Sequence, residues 1–224
     1  MYIDKTNTTI KAVLFDMDGL LLDTERLAID CWHAVAKEKG YSIPDQVLID
    51  CIGRDVDDSR KIFTDAIDGF PYDAMRERKL IRMSEHMDTY GPPLRPTAME
   101  GLALLKTSGY KIAVATSTEE TFGSWKLKRS NLYDCFDAHV YGDQVKRGKP
   151  EPDIFLEAAK RLGYAPCECA VLEDSFAGIR AARAAGMIAI LVPDIKAPDD
   201  TMLGYAHHVM DSVLSACQLI TSEL

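Results

Sequence analysis

The chain has 224 residues, 47% of them hydrophobic, and its 35 acidic against 26 basic side chains leave a net charge of −9 and a pI near 5.0. That length suits one large core with a smaller satellite domain. The acidic balance argues against nucleic-acid binding through a broad basic surface, and no run of about 18 apolar residues is present to span a membrane.

Met1 to Asn7 has no apolar stretch of the signal-peptide kind, so a cytoplasmic location is expected. Lys11 to Phe15 is short, apolar and β-prone, and predicts a buried strand. Asp16-Met17-Asp18-Gly19 follows at once. Carboxylates at the end of a buried strand are expensive unless a cation or a substrate uses them. Gly19 allows a sharp turn that leaves them facing a crevice. A helix is expected from about Glu25 to Lys39, with Leu27, Cys31 and Val35 on one face and Gly40 as its stop. His33 on this helix reads as a surface or packing residue.

Tyr41 to Tyr90 is helical in pattern, punctuated by Pro44, Gly53 and Gly69-Phe70-Pro71. Its expected apolar faces are Ile62, Ala66 and Ile67, then Leu80, Met83 and Met87. A helical block of this size, inserted after the first strand, is a candidate lid or cap domain. Gly91-Pro92-Pro93 and Pro96 mark the return linker. The expected division is a core of residues 1–22 and 96–224 and a cap of residues 23–95.

Further on, helices are predicted over Thr97–Ser108, Glu119–Arg129, Asp153–Leu162, Phe176–Ala185 and Ser212–Ser222, the last capped by Asp211. Strands are predicted over Lys111–Ala115, Ala138–Tyr141, Ala170–Leu172 and Ile188–Val192, with a short edge strand at His208–Met210. Strands alternating with helices predict an α/β fold with a parallel, doubly wound sheet, whose sites form outside the carboxyl ends of the strands. Four of the five main strands end in, or lead shortly to, polar residues suited to chemistry: Asp16 and Asp18, Thr116, Lys149, and Glu173 with Asp174. The cysteines Cys31, Cys51, Cys135, Cys167, Cys169 and Cys217 are scattered, and Cys167-Glu168-Cys169 lacks a second pair at zinc-site spacing, so free thiols are expected.

Asp16, Asp18, Glu173 and Asp174 in one crevice would repel one another. A hard divalent cation with open positions resolves the conflict, and all-oxygen ligands point to Mg²⁺. The plainer alternative for Asp174 is a helix cap. Thr116 and Ser117 offer hydroxyls and N–H groups near a helix start, a ready anion site. Lys149, between Gly148 and Pro150, suits a phosphoryl oxygen better than its neighbours Lys146 and Arg147, which read as a solvated basic loop. Together these groups describe phosphoryl transfer. Asp16 is the nucleophile and Asp18 the acid and base, with Mg²⁺, Thr116 and Lys149 as charge stabilisers.

Phe15 to Glu25, Val114-Ala115-Thr116-Ser117, Gly148 to Phe155 and Leu172 to Ile179 resemble, in order, the four motifs of the haloacid dehalogenase superfamily, in its Mg²⁺-dependent phosphatase and phosphomutase branch. The resemblance spans essentially the whole chain and is nearest to the β-phosphoglucomutase-like group, which includes sugar-phosphate and pseudouridine monophosphate phosphatases. It implies a Rossmann-like core with an inserted helical cap, and metal ligands Asp16, Asp18, Glu173 and Asp174. Substrate contacts are assigned to Ser117, Gly19 and Arg54; Ile52-Gly53-Arg54 resembles a cap loop whose arginine meets the substrate. The histidine that the mutase carries on its first cap helix falls at Ala28 here, and Glu119-Glu120 stands where a basic and a polar residue are usual. Both departures favour hydrolysis over mutase chemistry. The expected protein is a Mg²⁺-dependent phosphatase of a small phosphomonoester, a sugar phosphate or nucleoside monophosphate, acting as a monomer or weak homodimer. The alternatives are a phosphomutase, or a phospho-acceptor module of the receiver kind, although receivers are about half this length.

Overall fold

The computed structural model describes residues 9–224; Met1 to Asn7, read above as lacking a signal segment, lies outside the described residues. β1 (Ala12–Phe15) is followed by four helices, α1 (Thr24–Glu38), α2 (Asp45–Cys51), α3 (Val56–Ala66) and α4 (Tyr72–Tyr90). The alternation then begins: α5 (Ala98–Thr107), β2 (Lys111–Ala115), α6 (Glu120–Arg129), β3 (Ala138–Val140), α7 (Asp153–Leu162), β4 (Cys169–Glu173), α8 (Phe176–Ala184) and β5 (Ile188–Leu191). α9 (Asp200–Tyr205), β6 (His208–Val209) and α10 (Val213–Glu223) complete it.

The strands form one parallel sheet in the order β3-β2-β1-β4-β5-β6. Successive side chains of β1 face opposite ways. Val13 and Phe15 pack with Leu102 and Leu105 of α5 and Cys217 and Ile220 of α10. Ala12 and Leu14 pack with Ile154, Phe155 and Ala158 of α7 and Ile179 and Ala182 of α8. Covered on both faces, β1 and β4 read as unbroken apolar runs until Asp16 and Glu173 end them. Strand order reverses between β1 and β4, so the crevice of a doubly wound sheet opens beyond the carboxyl ends of these two strands.

The helices between β1 and α5 have a core of their own. Trp32, Phe63, Phe70 and Tyr72 are buried together, with the Phe63 ring centroid 4.7 Å from that of Trp32 and 5.0 Å from that of Phe70. The two connections to the rest of the chain run side by side: Asp23 N–H donates to Pro93 O (2.8 Å) and Arg95 N–H to Leu21 O (2.9 Å). Arg26 and Arg95 both pair with Asp194 on the loop after β5.

Some local expectations change. Ile62 and Ile67 pack in part against the aromatic core as expected, but Ser59 and Phe63 are the buried residues of α3 and Ala66 is exposed, because Phe63 points at Trp32. Of the expected face of α4, Met87 is buried and Met83 packs beside it, but Leu80 is exposed, and Tyr72 and Met75 are the other buried residues. α9 carried no recognised sequence signal. α10 is capped by Ser212, whose hydroxyl accepts the Ser215 N–H (3.1 Å), rather than by Asp211. The six cysteines are free thiols. Among the described residues no helix is long and apolar enough to cross a membrane.

Candidate active site

Asp16 is the first residue beyond β1; its N–H still donates to Leu172 O (3.1 Å), so its position is set by the β1–β4 pairing. It is buried. Lys149 enters from the loop before α7 and donates to Asp16 Oδ1, to Glu173 Oε1 (2.6 Å) and to Ala115 O (3.1 Å). Arg147 pairs outward with Asp153 (2.6 Å) and Glu151 (3.2 Å), and Lys146 is exposed, so Lys149 is the member of the basic loop that reaches the crevice. Glu173, 0% exposed, also accepts from Ser175 N–H and Oγ, both at 2.9 Å. A Cβ on Gly178 would stand 1.7 Å from Glu173 Oε1, so only glycine leaves room for this carboxylate under α8.

Asp16, Glu173 and Asp174 each present an oxygen, all within 4.8 Å of one another. Burial first, and then the Glu173 charge, push the Asp16 carboxyl up to about 7 against the pull of Lys149. Burial, Glu173 and Asp16 raise Asp174 well above the usual carboxylate range. Burial works to lower the Lys149 ammonium, but Asp16 and Glu173 outweigh it and hold it above its ordinary value. Three carboxylates against one ammonium leave excess negative charge in a dry crevice, and Asp174 has no side-chain hydrogen bond to a described residue. A hard divalent cation fits this all-oxygen donor set.

Asp18 is not part of that cluster. Its Oδ1 accepts from Thr24 Oγ1 (3.0 Å) and Lys126 Nζ (2.7 Å), and its Oδ2 from Thr118 Oγ1 (2.9 Å). Sequence reasoning assigned no role to these three donors. Thr24 and Thr118 lie within or next to the motifs already singled out, but Lys126 is one of three basic residues in the last turn of α6 and carries no local signal.

Thr116 is buried at the end of β2, where its hydroxyl accepts the Thr118 N–H (3.2 Å). Ser117 is exposed, and its carbonyl packs against Gly142 so closely that a Cβ there would lie 2.2 Å away. The N–H of Gly19 is committed to Leu22 O (2.9 Å). Gly19 has φ +84° and faces Asp174, whose Oδ2 would be 2.2 Å from an added Cβ. Arg54 is exposed, with a loose 3.9 Å pairing to Asp58. It lies at a cavity of about 240 Å³ among α1–α4, lined also by Glu25, Ala28, Trp32, Arg76 and Lys79. Burial raises the Glu25 carboxyl and lowers the Lys79 ammonium. Glu25 also feels the charges of Asp18 and Lys126, so the cavity adjoins the crevice through that residue.

A doubly wound sheet with an acidic, lysine-bridged crevice at its switch point is the frame of a phosphoryl-transfer enzyme. Residues 10–186 match the haloacid dehalogenase-like hydrolases, and the chain belongs to that family. It is 34% identical over 180 residues to the phosphorylated carbohydrates phosphatase of Thermotoga maritima, covering 80% of this chain and 82% of that one. It is 33% identical to the fructose-1-phosphate phosphatase of Escherichia coli, covering 80% and 94%. A candidate β-phosphoglucomutase from Thermotoga maritima superposes with a TM-score of 0.79 at 28% identity, covering 96% and 100%. With such relatives the chain is a hydrolase of phosphoric monoesters.

Proposed function

We propose that the chain is a Mg²⁺-dependent phosphatase that hydrolyses a small phosphomonoester, a sugar phosphate or nucleoside monophosphate, through an aspartyl-phosphate on Asp16. The observation that carries this reading is the meeting of Asp16, Glu173, Asp174 and Lys149 at the β1–β4 switch point. The sugar-phosphate names of its relatives support the substrate class.

An Asp16 oxygen attacks phosphorus and the bond to the leaving oxygen breaks, while Asp18 delivers a proton to that oxygen. Asp18, now a carboxylate, takes a proton from water. The water oxygen attacks phosphorus, the bond to Asp16 breaks, and phosphate leaves. Lys149 and the groups at Thr116 face the phosphoryl oxygens, where fixed donors stabilise transition-state charge without reorganising. Asp16 and Asp174, with Glu173 Oε1 shared by Lys149, would hold Mg²⁺, and the Asp18 turn lies alongside. When bound, the ion neutralises phosphoryl charge beside the nucleophile. Residues 23–95 act as a cap over a core of residues 1–22 and 96–224. The separate aromatic core and the paired connections at 21–23 and 93–95 support that division. Ser117 and Arg54 are the proposed substrate contacts, Arg54 through the cavity at the cap; Gly19 acts by leaving room for Asp174.

The deciding experiment is phosphate release over a panel of sugar phosphates and nucleoside monophosphates, with Mg²⁺ and with EDTA. Mg²⁺-dependent release on a few members is the expected result. Isomer formation without release would favour the mutase reading that the structural likeness keeps open. Silence across the panel would sink both.

Two variants follow from the geometry. Asp18→Asn should slow turnover by about 10²–10⁴-fold, the usual worth of general acid–base catalysis, while leaving labelled phosphate on the protein when the substrate has a leaving group that needs no proton. Gly19→Ala puts a methyl group against Asp174 in a backbone conformation unsuited to alanine. It should raise the Mg²⁺ concentration for half-maximal rate by about 10–100-fold, as disturbing a ligand's support does. A Mg²⁺ titration of the rate measures it.

A further inference from the structure

Lys126 lies in the last turn of α6, a helix that carries none of the other groups named in the crevice. It is 7% exposed, and Asp18 is its only salt-bridge partner among the described residues. Its Nζ also sits 4.7 Å from the Phe122 ring centroid, a second favourable surface for a desolvated cation. A lysine this deep is retained at a cost unless its charge is answered, and the group that answers it is a carboxylate with a proposed role in the reaction.

The three donors to Asp18 are not equivalent. Thr24 comes from the start of α1, Thr118 from the turn after β2 and Lys126 from α6. The hydroxyls are neutral, whereas the ammonium makes a charge-assisted bond of about twice the strength. Lys126 and Thr24 both hold Oδ1. Oδ2 has Thr118 alone. Oδ1 is therefore the anchored oxygen, and Oδ2 is the one that can exchange a single weak bond for the leaving oxygen or a water.

We propose that Lys126 is the positioning residue of Asp18: it pins Oδ1 so that Oδ2 is presented to the leaving oxygen and then to the attacking water. This rests on the acid–base role of Asp18 proposed above. The assignment makes Lys126 matter only in steps that use Asp18. Phosphorylation of Asp16 by an ester with a good leaving group, such as p-nitrophenyl phosphate, needs no proton donor. Phosphorylation by an alkyl phosphate does, and so does hydrolysis of the aspartyl-phosphate.

Lys126→Met keeps the length of the side chain and removes the charge. The full chain with Mg²⁺ is assayed on fructose 1-phosphate and on p-nitrophenyl phosphate, by steady-state and rapid-mixing kinetics. The steady-state kcat on fructose 1-phosphate should fall by about 10–100-fold, the scale of a misplaced reacting group, with KM changed less than about twofold. With p-nitrophenyl phosphate the first turnover should stay near the wild-type rate, giving a burst of one nitrophenol per enzyme before a slow steady state. Asp18→Asn/Lys126→Met should be no slower than Asp18→Asn alone, because a residue acting through Asp18 has nothing left to position. If the methionine variant does not fold, Lys126→Gln carries the same readouts. A wild-type kcat, an equally slowed first nitrophenol turnover, or losses that multiply in the double variant would each overturn the assignment. If Asp18→Asn is slow and Lys126→Met is not, this inference fails alone; if Asp18→Asn is as fast as wild type, the acid–base reading fails with it.

Discussion

Asp16→Asn is expected to abolish turnover, with a loss of at least about a thousandfold, or about 4 kcal/mol of barrier. Asparagine has the shape of aspartate and can still accept the Lys149 hydrogen bond, and it removes one of three crowded carboxylates. The variant should therefore fold as the wild type does, and its far-UV circular dichroism should be unchanged. What it loses is the oxygen that attacks phosphorus. A labelled substrate discriminates further. With labelled p-nitrophenyl phosphate, whose leaving group needs no proton, Asp18→Asn should carry acid-stable label after quenching, because its phosphoenzyme forms and then stalls, while Asp16→Asn should carry none. Phosphate release by Asp16→Asn within tenfold of wild type would exclude an aspartyl-phosphate at this position.

Chelation should have an effect of similar size. The crevice holds three carboxylates and one lysine, and burial makes their repulsion strong because little water is present to screen it. EDTA treatment should bring the rate to background and Mg²⁺ should restore it. The same ion should stabilise the fold, since it binds the folded crevice and not the unfolded chain. At a hundred times the dissociation constant the gain is about 2.7 kcal/mol. For a chain of this size that is a rise in melting temperature of about 5–10 °C. Asp174→Asn should lose both the rescue and the shift, whereas wild-type protein in EDTA should keep its fold at the lower melting temperature. A rate indifferent to EDTA would remove the metal from the reaction, and a full Mg²⁺ shift in Asp174→Asn would move its site elsewhere.

Much of this could be read locally. An apolar run that stops at a carboxylate is visible without a structure, because burying a charge is costly enough that it rarely occurs by accident. That reasoning picked out Asp16 and Glu173, and the structure brings both to the same crevice with Asp174 and Lys149. The sheet was legible for a related reason: strands buried on both faces must be short and apolar, and the helices between them keep a period that survives in sequence. The helical faces between β1 and α5 were less legible. Trp32, Phe63, Phe70 and Tyr72 meet from three helices and a loop, so which side of α3 is inside depends on where the other rings stand.

The sequence by itself determined the doubly wound class and the acidic ends of β1 and β4, which follow from periodicity and from the energy of a charge at a strand end, and the family, which follows from the resemblance of its four motifs. The tertiary structure alone decided what holds Asp18, that Arg54 lies at a cavity among α1–α4, and which groups meet across that cavity at Glu25 and Lys79. Lys126 and Asp18 are 108 residues apart. Their pairing depends on the packing of α6 against the sheet and on the reach of one long side chain, and no local pattern encodes either.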